Sequence, residues 1–255
     1  MAAARADYLT LNGISAVRAR RRVLDAVTLL VAPGEIIAVV GPNGAGKTSL
    51  LEAAIGALPL SAGEVRVGDR RMVGIGERAR WFFFLAGEAE PPAEVPVATL
   101  LEQAVAAPGA DRRLVPDLIE RLDLGRLRGA TAGSLSRGER RRVLLFAALV
   151  SARPFLLLDE PTGVFDPLQL LDVVALFREC ATRGTGLVIT VHQMSDAETL
   201  ASRILVLDEG RALACDTMQG LRDRAGLAAT ASLQQVFLQL LQTRDSGEDD
   251  PRAPS

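Results

Sequence analysis

The chain has 255 residues, enough to bury a substantial core as one large domain or two small ones. With 29 Lys and Arg against 31 Asp and Glu, the net charge is −2, a poor footprint for a protein that grips nucleic acid through its overall field. Cys180 and Cys215 lie far apart with no CxxC or histidine pairing, which excludes a disulfide framework and a thiolate metal cage and points to a reducing cytoplasm.

The opening MAAARADYLT lacks the apolar stretch of a signal peptide, and nowhere is there a run of about 18 uncharged apolar residues to span a membrane. The chain taken alone is expected to be soluble. YLTLNGISAV and RRVLDAVTLLVAPGE read as antiparallel strands, with Pro33 and Gly34 turning into Glu35, and GEVRVGD reads as a further strand beside them. After Glu35 the segment EIIAVV is apolar up to Gly41, as a strand buried on both faces should be. From about Leu100 to Leu149 the pattern turns helical; LVPDLIERLDL repeats apolar residues at three and four, the mark of an inserted helical subdomain at about residues 88–150. FLLLD, ending in Asp159 and Glu160, and LVITV, ending in His192, are two more buried strands. ILVLDEGRALAC reads as a hairpin turning at Asp208 to Gly210, and SLQQVFLQLLQ as a final amphipathic helix. The remainder, TRDSGEDDPRAPS, is too polar to pack, so residues 1–244 form the folded unit and 245–255 a disordered tail. Strands alternating with helices predict an α/β fold with a largely parallel sheet, and three of its strands deliver polar residues at their carboxyl ends, where open sheets place ligands.

GPNGAGKT, Gly41 to Thr48, fits G-x-x-x-x-G-K-[ST] between a strand and a helix. Its glycines let backbone N–H groups turn inward on a phosphate, the helix N-terminus adds partial positive charge, and Lys47 brings a mobile cation. The cradle runs through Gly41, Pro42, Asn43, Gly44, Ala45, Gly46, Lys47, Thr48 and Ser49. Thr48 and Asp159 are placed to hold Mg²⁺, and Glu160 to act as general base for water attacking a γ-phosphate. Ser136 and Glu139 form S-x-x-E ahead of VLLFAALV, a capping box opening a helix that also offers an anion site. Arg137, Arg140, Arg141 and Arg142 spread around that helix, and most are expected on a solvated face or in subdomain contacts.

Over roughly Leu9 to Leu241 these residues resemble the ATPase subunit of an ATP-binding cassette transporter. GPNGAGKTSLL resembles that family's Walker A motif, LSRGE its LSGGQ signature, FLLLDEP its Walker B, PTGVFDP its D-loop and VHQ its switch histidine. The resemblance implies a P-loop NTPase (RecA-like) core carrying an antiparallel β subdomain and an inserted α-helical subdomain. It implies ATP and Mg²⁺ as cofactors and a head-to-tail dimer in which Ser136, Arg137, Gly138 and Glu139 close over nucleotide on the other subunit. It further implies that Asp166 aligns the two sites and that His192 contacts the γ-phosphate.

The chain departs from the family pattern at several points. Arg137 and Glu139 replace a glycine and the glutamine of the signature, and the capping box is expected to turn Glu139 back toward the Ser136 N–H. FFFLAGEAEPP offers Gly87 or Glu88 where the family's Q-loop glutamine is expected, and Val17 or Arg18 falls where an aromatic usually stacks on adenine. LRDRAG followed by SLQQVFLQLL resembles the closing segment of exporter-type ATPases that pair with separate small permeases. The expected partners are thus an integral-membrane permease and a second ATPase subunit, a homodimer in preference to a heterodimer, with no nucleic acid. The expected location is the cytoplasm, peripheral on the inner face of the cell membrane. The alternative is a soluble cassette ATPase or nucleotide switch acting on the ribosome, DNA or another protein complex.

Overall fold

The computed structural model describes residues 7–245. Apolar residues alternate along LTLNGISAVR and RRVLDAVTLLV, so each segment buries one face, and the two pair as the antiparallel hairpin β1 (Leu9–Arg18) and β2 (Arg21–Val31). Ala19 and Arg20 turn it, both with positive φ, as a two-residue hairpin turn requires. The chain then enters β3 (Ile36–Val40), every residue of which is buried, and passes through the glycine-rich loop into α1 (Lys47–Ile55). β4 (Leu60–Val67) and the short β5 (Arg70–Arg71) complete a four-stranded antiparallel sheet of order β2-β1-β4-β5.

Next come α2 (Ile75–Trp81) and β6 (Phe82–Leu85), two elements the sequence reading leaves unassigned. The guanidinium of Arg78 in α2 is buried and donates to the carbonyls of Ala53 and Ala54 at 2.9 and 2.7 Å and of Met72 at 2.7 Å. A cation thus sits on the last carbonyls of α1, where the helix end is partially negative. α3 (Val97–Ala106), α4 (Val115–Arg121) and α5 (Arg137–Val150) follow, with one 3₁₀ turn between α3 and α4 and two between α4 and α5. α3 and α4 pack on α5 through Val97, Leu101, Leu118 and Phe146, all in one core cluster.

The rest of the chain alternates strand and helix: β7 (Phe155–Asp159), α6 (Pro167–Thr182), β8 (Gly186–Thr190), α7 (Met194–Leu200), β9 (Arg203–Asp208), β10 (Arg211–Asp216), α8 (Met218–Arg224) and α9 (Leu233–Asp245). The second sheet has six strands in the order β10-β9-β3-β8-β7-β6, parallel except for the β9–β10 hairpin. Period-two alternation assigns its two faces. Ile37, Val39, Leu157 and Val188 point to α1 and the antiparallel sheet, whereas Ile36, Ala38, Leu156 and Ile189 point to the helices on the other side. Both faces are covered, which is why these strands read as unbroken apolar runs. α9 runs to Asp245, past the boundary expected after residue 244, and Arg244 near its end pairs with Asp208. The polar tail from residue 246 onward lies outside the described residues.

Candidate functional site

In the sheet β8 lies between β3 and β7, so the carboxyl ends of these three strands converge. Such a crevice at strand ends is where open α/β sheets take their ligands. The loop Gly41–Gly46 leaves β3 there. Gly41 is required by space, since a Cβ on it would lie 2.0 Å from the Leu207 carbonyl oxygen. Gly46 is required by conformation as well, with φ of 103° and a Cβ position 2.6 Å from the Val23 carbonyl oxygen. Lys47 is buried at the start of α1 and its ammonium donates to the carbonyls of Gly41 at 2.8 Å and Pro42 at 3.2 Å, in the hollow of the loop. Burial pushes its pKa down, and the nearby charges of Glu160 and Asp159 push it back up. Thr48 begins the exposed side of the helix, whereas Ser49 is turned into the interior. Two clefts flank the loop: one of about 450 Å³ bordered by Val23, Asn43 and Gly210, and one of about 670 Å³ bordered by Gly41, His192 and Phe237.

At the end of β7 Asp159 is nearly buried, and both its oxygens are engaged. The Thr48 hydroxyl donates to Oδ2 at 2.8 Å, and the Thr190 hydroxyl donates to Oδ1 at 2.5 Å. Thr190 is fully buried on β8, directly opposite Asp159 in the strand register, and its oxygen also accepts from the Glu160 N–H at 2.9 Å. Glu160 has a φ of 45°, a left-handed conformation that is costly for a non-glycine residue. The threonine bond holds that turn and so aims the Glu160 side chain out of the sheet. His192 follows β8 with Nδ1 4.0 Å from Glu160 Oε1, both side chains substantially open to solvent. Thr190 is the site residue that sequence reading misses; the signal is a single hydroxyl in an otherwise apolar strand, LVIT, two residues before the histidine.

The signature segment stands apart from this cluster, and among the described residues no hydrogen bond joins residues 136–139 to residues 41–49. The capping box forms as expected: the Ser136 N–H donates to Glu139 Oε2 at 2.9 Å and the Glu139 N–H to Ser136 Oγ at 3.3 Å. Glu139 also accepts from the Ser136 hydroxyl at 2.8 Å and from Arg126 at 2.8 Å. The Ser136 backbone bond, then its hydroxyl, then Arg126, hold the Glu139 carboxyl below its ordinary range. Its charge is thus tied down within the chain, while the N–H groups of Arg137 and Gly138 in the first turn have no intrahelical acceptor. Asp166 caps α6 by accepting from the N–H groups of Leu168 at 3.0 Å and Gln169 at 2.9 Å.

Of the four arginines expected on a solvated face or in subdomain contacts, Arg141 is buried, only 7% exposed. Arg140 pairs with Glu90 at 2.8 Å and Arg142 with Asp123 at 3.3 Å, as subdomain contacts. Of the two Q-loop alternatives, Gly87 is the residue beside Asp159: a Cβ on it would lie 3.3 Å from Asp159 Oδ2. Glu88 borders an outer cavity together with Arg137 and Arg140. Near the phosphate loop Arg18 is committed to Glu52 on α1, and Val17 is exposed on the hairpin.

A phosphate loop, a carboxylate bonded to the loop's threonine and a second carboxylate at the end of the same strand define a nucleoside triphosphatase of the P-loop class. Residues 24–163 match the family described as ABC transporter. The hemin import ATP-binding protein HmuV of Pseudomonas entomophila is 36% identical over 239 residues, covering 87% of this chain and 91% of that protein. The lipopolysaccharide export system ATP-binding protein LptB of Escherichia coli is 31% identical over 219 residues, covering 82% and 90%. Among solved structures, the ATP-binding subunit of an ABC transporter superposes with a TM-score of 0.85 at 26% identity, covering 91% of this chain and 99% of that one. A dimeric cassette in a post-hydrolysis state with ADP and Pi shares the fold, with a TM-score of 0.73 at 19% identity, covering 82% of this chain and 98% of that one. The chain belongs to the ABC transporter family: it is an ATP-binding subunit and an ATPase of that family. Among the described residues no helix is long and apolar enough to cross a membrane.

Proposed function

We propose that this subunit hydrolyses ATP in a head-to-tail dimer of two copies and so drives a separate integral-membrane permease. The observation that carries the reading is the meeting of Lys47, Thr48, Asp159, Glu160 and His192 at three adjacent strand ends. The backbone of Gly41 to Gly46 and the ammonium of Lys47 take the nucleotide's phosphates, with Pro42, Asn43 and Ala45 shaping the loop and Ser49 supporting it from within.

Thr48 and Asp159 present two hard oxygens 2.8 Å apart, a donor set that fits Mg²⁺, which takes one or two protein oxygens and completes its shell with phosphate and water. When bound, Mg²⁺ neutralises charge on the phosphate oxygens. Glu160 then orients water and accepts its proton as the water oxygen bonds to the γ-phosphorus; the bond from phosphorus to the bridging oxygen breaks and ADP leaves with that electron pair. His192, beside Glu160, donates to the γ-phosphate. The N–H groups of Arg137 and Gly138, with Ser136, meet nucleotide on the other copy, and Glu139 stays folded back in its capping box. Asp166 fixes the start of α6 so that the loop before it aligns the two sites.

Named relatives include import and export ATPases, among them HmuV and LptB, so the same cassette work serves either direction. Export, expected from the C-terminal segment, would be set by the permease, which also holds the subunit on the inner membrane face. The test is affinity purification of the tagged subunit from its host. Recovery of an integral membrane protein supports the reading, and recovery of ribosomes or DNA without one would contradict it.

A further inference from the structure

Arg141 is a buried cation with an unusual set of partners. It lies on α5 two residues beyond the capping box, and its neighbours Arg140 and Arg142 each meet a carboxylate. Arg141 instead donates to two backbone oxygens, those of Ala86 at 3.2 Å and of Gly87. Among the described residues no carboxylate lies within ion-pair distance of it. Burial pushes its pKa down; the charges of Asp159 and then Glu160 push it up, and that of Arg137 pushes it down again. A buried guanidinium compensated only by carbonyls and by the field of two site carboxylates, with no carboxylate paired to it, is costly to bury. The turn it grips is the one that passes Asp159, where Gly87 brings backbone instead of side chain to the carboxylate.

We propose that Arg141 is a positioning residue for hydrolysis: its guanidinium clasps the Ala86–Gly87 turn against Asp159 and sets a fixed positive charge behind the two carboxylates at the end of β7. The clasp makes α5, which begins at the signature, and the Asp159 end of the nucleotide site parts of one body. Because the Gly87 carbonyl accepts from Arg141 and Gly87 has no side chain, Gly87 presents no side-chain oxygen to the metal, and the cation weakens the pull of Asp159 and Glu160 on it. This tuning rests on the metal-side reading of Asp159 given above; the clasp does not.

The test compares Arg141→Gln, which removes the charge, with Arg141→Lys, which keeps the charge but loses the two-pronged grip. Amide hydrogen exchange reads the turn in the full chain, and electron paramagnetic resonance reads Mn²⁺ binding with a non-hydrolysable ATP analogue. In both variants exchange at the Ala86–Gly87 turn should rise by about tenfold while the strands keep their protection. Mn²⁺ should bind Arg141→Gln about threefold more tightly than the parent, and Arg141→Lys about equally. Hydrolysis in Arg141→Gln should lose kcat with little change in KM. Unchanged exchange in both variants overturns the clasp, while Mn²⁺ binding by the parent keeps the metal reading standing. Weaker or unaltered Mn²⁺ binding in Arg141→Gln overturns the tuning. A parent that binds no Mn²⁺ with nucleotide overturns the metal reading and the tuning with it. If Arg141→Gln does not fold, Arg141→Lys still decides the clasp by exchange and the tuning by Mn²⁺ affinity, a changed affinity overturning it.

Discussion

Replacing Thr190 by valine removes one hydroxyl and keeps the shape of the side chain, so no cavity is created at a fully buried position. The hydroxyl donates to Asp159 Oδ1 at 2.5 Å and accepts from the Glu160 N–H at 2.9 Å. Losing a bond to a charged acceptor costs about 1.5–3 kcal/mol, and an orphaned N–H at Glu160 costs about 1–3 kcal/mol more. The expected loss is about 3 kcal/mol, or a fall in Tm of about 6–12 °C for a chain of this size. Activity should fall too, because the threonine bond is what holds Glu160 at a φ of 45°. Release of a strained turn worth about 1–3 kcal/mol predicts a kcat lowered by about 10- to 100-fold with KM nearly unchanged. The assays are urea unfolding and steady-state ATP hydrolysis, with Thr190→Ser as the control that restores both. A Thr190→Val protein within about 0.5 kcal/mol and about twofold in kcat of the parent would refute the reasoning, since no core effect that small fits the loss of two buried bonds.

Three other outcomes are expected. Glu160→Gln should bind nucleotide within about threefold of the parent and lose hydrolysis by about 100-fold or more, read by fluorescent nucleotide binding and phosphate release; turnover near the parent rate would remove Glu160 from the role of base. Arg78→Met should cost about 2–4 kcal/mol in urea unfolding, because it strips the buried cation from the α1 carbonyls, and a neutral effect would show that those carbonyls need no partner. The depressed Glu139 carboxyl should stabilise the capped start of α5 fully above the ordinary glutamate range, and that contribution should be lost as pH falls through the depressed value. The stability gap between parent and Glu139→Gln should therefore be constant near neutrality and close in acid; a gap that widens in acid would contradict the assignment.

The parallel sheet was legible because strands buried on both faces cannot hide their composition: EIIAVV, FLLLD and LVITV are dominated by apolar residues and give way to Gly41, Asp159 and His192 at their carboxyl ends. The capping box was legible because its two bonds are local, fixed by spacing along one helix. What escaped is non-local. FFFL is too short to read as a strand by itself and becomes one only because β7 lies beside it. Thr190 takes its role from the register that sets it opposite Asp159, which no spacing within LVIT records. In the sequence Arg141 is one of four arginines expected on a solvated face or in subdomain contacts, and only the packing of α5 on the Ala86–Gly87 turn separates it from its neighbours. The Q-loop position is ambiguous for a related reason: the sequence offers Gly87 and Glu88 alike, and only the packing shows that Gly87 is the one set beside Asp159.

The central claim is that two copies of this chain complete each other's nucleotide sites. It is tested most directly by light scattering on purified Glu160→Gln with and without Mg²⁺ and ATP. The account predicts a mass that doubles only when both are present, because Ser136, Arg137 and Gly138 of each copy close over nucleotide held by the other. A mass that stays at that of a single chain under saturating nucleotide would contradict it.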